Sequence, residues 1–189
     1  SGLSNVHPVV IAHENDAKVK RLAGKLDRVL VDAPCSGLGT LRRNPDMKWR
    51  QTVETLTEMR AKQGSILASA ARLVRPGGRL VYGTCSFLEE ENDDVIAEFL
   101  ASHPDFTLRP MSEVLAEQKI ALDTGDYLKL LPHQHQTDGF FAAVLERRRT
   151  RRNQRTLGGR LCPGPDKARG RGLQWGLRRP HAGGVGQRR

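Results

Sequence analysis

Apolar residues fall into a few short clusters separated by polar stretches, and the spacing within each cluster predicts an element. Val6 to Ala12 is an apolar run interrupted by His7 and Pro8, and it predicts a short strand. Asp16 to Leu22 predicts a short helix. Arg28-Val29-Leu30-Val31 is almost continuously apolar and β-branched, as a strand buried on both faces should be, and it ends at Asp32. A loop rich in Pro, Ser and Gly then runs to about Lys48. From Thr52 to Val74, the residues Leu56, Met59, Ile66, Leu67, Ala70 and Leu73 recur at helical spacing, and Pro76-Gly77-Gly78 is expected to stop that helix. Arg79 to Thr84 predicts a second buried strand, followed by Cys85-Ser86. Asn92 to Ser102 predicts an amphipathic helix with Val95, Ile96, Phe99 and Leu100 on one face. Its acids cluster at the N-terminus, where the helix dipole favours them. Tyr127 to Leu131 and Gly139 to Leu145 predict two late strands.

The alternation of strand and helix predicts an α/β fold, part of a doubly wound sheet whose last two strands form a hairpin. From Arg147 onward the periodicity stops and Arg, Gly and Pro dominate. The expected organisation is a folded unit over 1–146 and a disordered tail over 147–189. Charge sharpens this division. The chain of 189 residues has a net charge of +10, which by itself would suggest a nucleic-acid partner. Yet residues 1–146 carry 17 Lys and Arg against 20 Asp and Glu, a net of −3, while 147–189 carry 14 against one acid, Asp166, a net of +13. The basic excess therefore belongs to the tail.

Three cysteines, Cys35, Cys85 and Cys162, show no zinc-knuckle or redox-dithiol spacing, and no metal site is expected. No signal-peptide pattern opens the sequence, and no apolar run reaches the ~20 residues that span a bilayer. A cytoplasmic, reducing location with free thiols is the expectation. Cys35 and Cys85 each follow the C-terminal end of a predicted parallel strand, the sheet edge at which ligands bind in open α/β folds. Taken singly, either reads as a small buried hydrophobe. Taken together, and with the turn-forming loop Asp32-Ala33-Pro34-Cys35-Ser36-Gly37-Leu38-Gly39, they predict a shared site. A thiolate there can attack a polarised carbon while a second group serves as acid or base.

These segments carry a resemblance. Val29-Leu30-Val31-Asp32-Ala33-Pro34-Cys35-Ser36-Gly37 is similar to motif IV of the RNA 5-methylcytosine methyltransferases of the Nol/Nop2/Sun type, and Gly83-Thr84-Cys85-Ser86 with Glu89-Glu90-Glu91-Asn92 resembles their motif VI. Arg42-Arg43-Asn44-Pro45-Asp46-Met47-Lys48-Trp49 is similar to the segment after motif IV in the RsmB (Sun/Fmu) branch, which methylates small-subunit ribosomal RNA. Thr137-Asp138-Gly139-Phe140-Phe141 resembles that family's closing motif. The resemblance implies a Rossmann-like class I methyltransferase sheet, S-adenosyl-L-methionine as methyl donor and ribosomal RNA as partner. It implies that Cys85 is the nucleophile adding to carbon 6 of cytosine and that Cys35 assists product release. DNA cytosine methyltransferases instead attack with the cysteine of a Pro-Cys motif, so the Thr-Cys partner favours RNA. Asp32 is expected to contact the cofactor's methionine moiety, to hydrogen-bond the base, or both; the plain alternative is a carboxylate bonded to backbone amides. Arg42, Arg43, Lys48 and Trp49 are candidate RNA contacts for a base drawn out of its stack, with Trp49 alternatively an anchor for the following helix.

Two departures shape the expectation. Complete members have an earlier strand with a glycine-rich loop for the cofactor, then an acid for its ribose, and this sequence has neither. Its only early glycines are Gly2 and Gly24. His13 stands where an adenine-side Asp is expected, with Asp16 the available substitute. The sequence thus reads as the C-terminal catalytic portion of such an enzyme, not expected to methylate unaided. The tail is an unselected extension or a basic RNA-binding arm. If the arm dominates, the alternative is a catalytically dead RNA-binding remnant; a transfer RNA or protein substrate is the other rival.

Overall fold

A computed structural model describes residues 4–149 and 172–175. Among the described residues the sheet is mixed, with six strands: β3 (Phe106–Arg109), β5 (Phe140–Arg147), β2 (Val74–Thr84), β1 (Leu26–Asp32) and β6 (Gly172–Trp175) lie side by side in that order, and a short β4 (Leu128–Leu130) also pairs with β5. Strand β1 (Leu26–Asp32) buries Leu26, Val29 and Val31. It pairs in parallel with β2 (Val74–Thr84), with Asp32 opposite Gly83. β5 (Phe140–Arg147) runs antiparallel to β2, with Thr84 opposite Phe141. The far edge of β5 is shared by β3 (Phe106–Arg109) and β4 (Leu128–Leu130), both antiparallel to it. The expected terminal hairpin is the β4–β5 pair, closed through the short helix α5 (Pro132–His135).

Helix α1 (Ala17–Lys20) is a single turn that seats Val19 in the core. Helix α2 (Val53–Ala71) begins with a reciprocal cap. The Thr52 hydroxyl accepts from the Thr55 amide at 3.2 Å and the Thr55 hydroxyl accepts from the Thr52 amide at 2.9 Å, an arrangement contributing about 1 kcal/mol. Its inner face presents Ile66, Leu67, Ala70 and Ala71 to the sheet. Helix α3 (Asp93–Ser102) adds Val95, Ile96 and Phe99. These meet Leu80 and Tyr82 of β2 and Phe141, Ala143 and Leu145 of β5 in one continuous core. Burying a side chain such as Leu67 completely stabilises by roughly 2 kcal/mol.

Two expectations are corrected. Val6 to Ala12 forms no strand; Val6, Val9 and Val10 are exposed, because no strand among the described residues pairs with the run and Pro8 lacks an amide proton. Helix α2 stops at Ala71, before Pro76-Gly77-Gly78. Leu73 and Val74 fit a helical face and a buried strand equally well, and tertiary pairing with Leu26 places Val74 in β2. The Pro-Gly-Gly segment is then accommodated inside β2 as an irregularity, where register jumps from Leu26 opposite Val74 to Arg28 opposite Arg79 and Gly77 takes φ 78°. Residues 103–126, for which the pattern predicts nothing, hold β3 and helix α4 (Met111–Glu117). In the tail, β6 (Gly172–Trp175) pairs in parallel with β1. The remaining expected tail disorder beyond Arg149 lies outside the described residues.

Candidate active site at the C-terminal edge of β1 and β2

Parallel pairing brings the ends of β1 and β2 level, and the chain leaves both strands into cysteine loops. The Ala33 amide donates to the Gly83 carbonyl at 2.9 Å, so pairing continues one residue past Asp32. Cys35 and Cys85 then meet with their Sγ atoms 3.4 Å apart. Both are partly buried, and neither forms a disulfide. Such a separation is thiol–thiol hydrogen-bond contact, so when one thiol ionises the other can donate its proton to it. Cys35 is held well above the ordinary thiol range, first by its hydrogen bond with Cys85, then by burial and by the charge that Cys85 and Glu91 bring near it; the Gly37 amide opposes this.

Two glycines make the approach possible. The Gly39 amide donates to the Cys85 carbonyl at 2.9 Å, and the Gly139 amide donates to the Gly39 carbonyl at 2.8 Å. A Cβ on Gly39 would lie 2.7 Å from the Cys85 carbonyl oxygen and would collide with that of Gly139. The cysteine loops and the Thr137–Phe141 segment are therefore in backbone contact with one another, and only glycine fits at the junction.

Beneath the thiols lies a buried polar network. Glu91 is fully buried; its Oε1 accepts from the Ser36 amide at 2.7 Å and from Gln63 Nε2 at 3.1 Å, and its Oε2 from the Ser36 hydroxyl at 2.5 Å. Ser36 Oγ is also 3.2 Å from Ser86 Oγ. Gln63 Nε2 donates as well to the Pro34 carbonyl at 2.8 Å, and the Tyr82 hydroxyl to the Glu91 carbonyl at 2.7 Å. Asn92 sits at the N-cap of α3, where its side chain would ordinarily cap the helix. Instead its Oδ1 accepts from the Thr84 hydroxyl at 2.6 Å and its Nδ2 donates to the Ser86 carbonyl at 3.0 Å. Ser36, Ser86 and Glu91 lie within the cysteine motifs but the sequence assigns them no role, and it does not single out Gln63 at all. Three adjacent acids before a helix look like a solvated, dipole-favoured turn, yet Glu89 and Glu90 are exposed and Glu91 is not.

Asp32 lies at the end of β1, beside the loop that bears Cys35, with an exposed side chain. Among the described residues it bonds to no backbone amide, which removes the plain alternative. Asp16 is differently placed: its carboxylate accepts from the Lys18 and Ala12 amides and is held below the usual range by those bonds. It is occupied as a helix cap and makes a poor substitute ligand. Arg42, Arg43, Lys48 and Trp49 are all exposed on two 3-10 turns, Leu38–Thr40 and Pro45–Trp49, and the segment joining them. Arg43 pairs with Asp138 of the closing segment. Lys48 Nζ lies 4.7 Å from the centroid of the Trp49 ring, and Trp49 is 80% exposed, so it does not anchor α2. Met47 is the buried residue of that turn. No helix of the described residues is long and apolar enough to cross a membrane, and they contain no group of three or more His, Cys, Asp or Glu able to hold a metal ion.

The fold is a mixed α/β sheet that brings two thiols together at the C-terminal edge of its parallel strands, and comparison gives the family. Residues 3–146 match the sequence model of the family described as 16S rRNA methyltransferase RsmB/F. The chain is 43% identical over 122 residues to "Probable ribosomal RNA small subunit methyltransferase B" of Synechocystis, covering 65% of this chain and 27% of that protein. It is 40% identical over 137 residues to "Ribosomal RNA small subunit methyltransferase B" of Sodalis glossinidius, covering 72% and 30%. Among solved structures, NSun6 from Pyrococcus horikoshii, determined with SFG, superposes with a TM-score of 0.61 at 26% identity over 79% of this chain and 36% of that one. This chain belongs to the 16S rRNA methyltransferase RsmB/F family. It spans less than a third of the length of these two ribosomal RNA methyltransferase relatives.

Proposed function

We propose that this site is the thiol centre of an RNA cytosine-5 methyltransferase whose substrate is small-subunit ribosomal RNA in the cytoplasm. The observation that carries the proposal is the 3.4 Å approach of Cys35 and Cys85 at the ends of two parallel strands. Carbon 5 of cytosine is a weak nucleophile, and a thiolate added at carbon 6 raises its electron density. Cys85 forms that S–C bond. Cys35 retains its proton, as its contacts favour, and stands within reach of the same atoms when the carbon 5 proton leaves and the S–C bond breaks. Asp32, exposed beside the thiols, holds the base through a hydrogen bond at its ring nitrogen edge as charge develops there.

S-adenosyl-L-methionine, when bound, supplies the methyl group. Among the described residues Asp32 is the free carboxylate suited to contact it, while Asp16 is occupied as a cap and no glycine loop accompanies them. These residues fit one side of the cofactor rather than a whole pocket. Arg42, Arg43 and Lys48 supply positive charge for phosphates, and Trp49 an open ring face for stacking.

The test is a covalent trap. RNA carrying 5-fluorocytosine cannot lose the carbon 5 substituent as a proton, so a thiol adduct persists through denaturing electrophoresis. With S-adenosyl-L-methionine present, and with residues 3–146 replacing the matched segment of the full-length Sodalis glossinidius relative so that a whole cofactor pocket is available, the wild-type segment and Cys35→Ala form the adduct and Cys85→Ala does not. An adduct that survives Cys85→Ala and vanishes in Cys35→Ala reverses the two roles. No adduct with any variant defeats the proposal.

A further inference from the structure

The thiols are accounted for by the proposed reaction; the carboxylate beneath them is not. Glu91 is fully buried, and no Lys, Arg or His among the described residues forms an ion pair with it. Removing a carboxylate from water without a counter-ion is costly, and hydrogen bonds must compensate. Here they come from the Ser36 amide, the Ser36 hydroxyl and Gln63. An apolar side chain would fill the same space without that cost, so the charge calls for a reason. Its position supplies one. The carboxylate bonds to the residue following Cys35, and through the Ser36 hydroxyl it reaches Ser86, the residue following Cys85.

We infer that Glu91 is a positioning residue for the two-thiol centre: it clamps both cysteine loops through Ser36 and, by its negative charge, keeps the proton of the thiol pair on Cys35. This deepens the methyltransferase reading and rests on it. A negative charge one peptide from Cys35 disfavours a second negative charge there; the Cys35 thiol is held up first by its hydrogen bond with Cys85, then by burial and the Cys85 charge, with Glu91 adding the smallest share. The titratable groups that its charge reaches are Cys35 and Tyr82, and Cys85 is the hydrogen-bond partner of Cys35. From α2 the facing group is Gln63, and from the start of α3 it is Asn92, both neutral. Asp93 and Asp94 of α3 turn to Lys129 and Arg60 instead.

The experiment needs neither RNA nor cofactor. In the full chain with Cys162→Ser, thiolate absorbance is followed against pH, and the rate of Cys35–Cys85 bond formation is followed by mass with an azodicarboxamide oxidant. That reagent takes up the two thiol protons and two electrons to become the hydrazine as the S–S bond forms. Glu91→Gln keeps the shape and removes the charge. It is expected to move thiol ionisation to lower pH by about one pH unit, while cross-linking compared at equal thiolate fraction, because the thiolate is what attacks the oxidant, proceeds near the wild-type rate. Ser36→Ala removes the hydroxyl that joins the Glu91 carboxylate to Ser86, while the charge and the Ser36 amide bond stay in place; it is expected to slow cross-linking on the order of tenfold. A Glu91→Gln titration that coincides with wild type or lies above it overturns the charge role. Wild-type cross-linking in Ser36→Ala overturns the clamp. Because both readouts concern the thiols alone, they stand even if no 5-fluorocytosine adduct forms, so failure of the methyltransferase reading is distinguishable from failure of this one.

Discussion

The junction of the two cysteine loops and the basic segment from Arg42 to Trp49 lie on one stretch of chain, yet they are built by opposite rules. At the junction, Ser36, Thr84, Ser86, Glu91 and Asn92 are buried polar residues, each bonded to another part of the same junction. Along the basic segment the side chains stand in solvent; Met47 alone is buried among residues 42–50. Groups that must meet within a fraction of an ångström are held by a network in low dielectric, where each unsatisfied bond is expensive. Groups that must meet a flexible polyanion are left free to adjust. If this contrast is sound, substitutions at the junction destabilise the fold, and those in the basic segment leave it nearly unchanged.

Gly39→Ala should have the largest effect. Its methyl would meet the backbone oxygens of Cys85 and Gly139, which cannot rotate aside as a side chain could. A loss of about 3 kcal/mol in denaturant unfolding is expected, with slower Cys35–Cys85 cross-linking. A Gly39→Ala protein as stable as wild type would show that the loops tolerate separation, and the close approach of the thiols would then not be enforced by backbone packing.

Much of this arrangement was legible before the fold. The strands ending at Asp32 and Thr84 announced themselves by continuous apolar runs, and their parallel pairing follows from the helix between them, so the meeting of Cys35 with Cys85 was readable. The limits were set by residues compatible with two periods. Leu73 and Val74 suit the end of a helix or the start of a strand, and only pairing with Leu26 decides between them. Val6 to Ala12 has strand composition but no pairing partner among the described residues, so it stays extended and exposed. Glu91 was hidden for another reason: adjacent Glu89, Glu90 and Glu91 are chemically identical, and the direction of one side chain into the sheet is a property of the turn, not of its composition.

Tyr82→Phe probes the same network more gently. The ring stays in the core while the hydrogen bond to the Glu91 carbonyl is lost, and a cost of about 1 kcal/mol is expected. Burial also pushes the Tyr82 phenol up, so spectrophotometric titration should find Tyr127 ionising before it. Tyr127 is raised too, again by burial, but less enclosed. Early ionisation of Tyr82 would mean that the floor of the junction is open to water.

In the basic segment the effects move from stability to binding. Arg42→Ala and Lys48→Ala remove cations that form no ion pair among the described residues, and each should change unfolding free energy by less than about 0.5 kcal/mol. Arg43→Ala also breaks the exposed pair with Asp138, at a cost of under about 1 kcal/mol. Each should weaken RNA binding and lower the slope of affinity against salt by about one for every phosphate contact removed. An unchanged slope would remove that residue from the interface.

Trp49→Ala carries the smallest expected change in stability and discriminates most sharply between the two regions. A tryptophan that anchors α2 would be buried against it, and its truncation would cost about 3 kcal/mol or more. At 80% exposure, with Lys48 over its ring, Trp49 has little packing to lose, and unfolding should be unaffected within about 0.5 kcal/mol. The same ring offers a free face to an unstacked base, so RNA binding should weaken by about 1–3 kcal/mol. Trp49→Phe should restore most of that loss, because stacking needs a flat ring rather than an indole nitrogen. If Trp49→Ala instead destabilises the chain and leaves RNA affinity unchanged, the basic segment belongs to the scaffold.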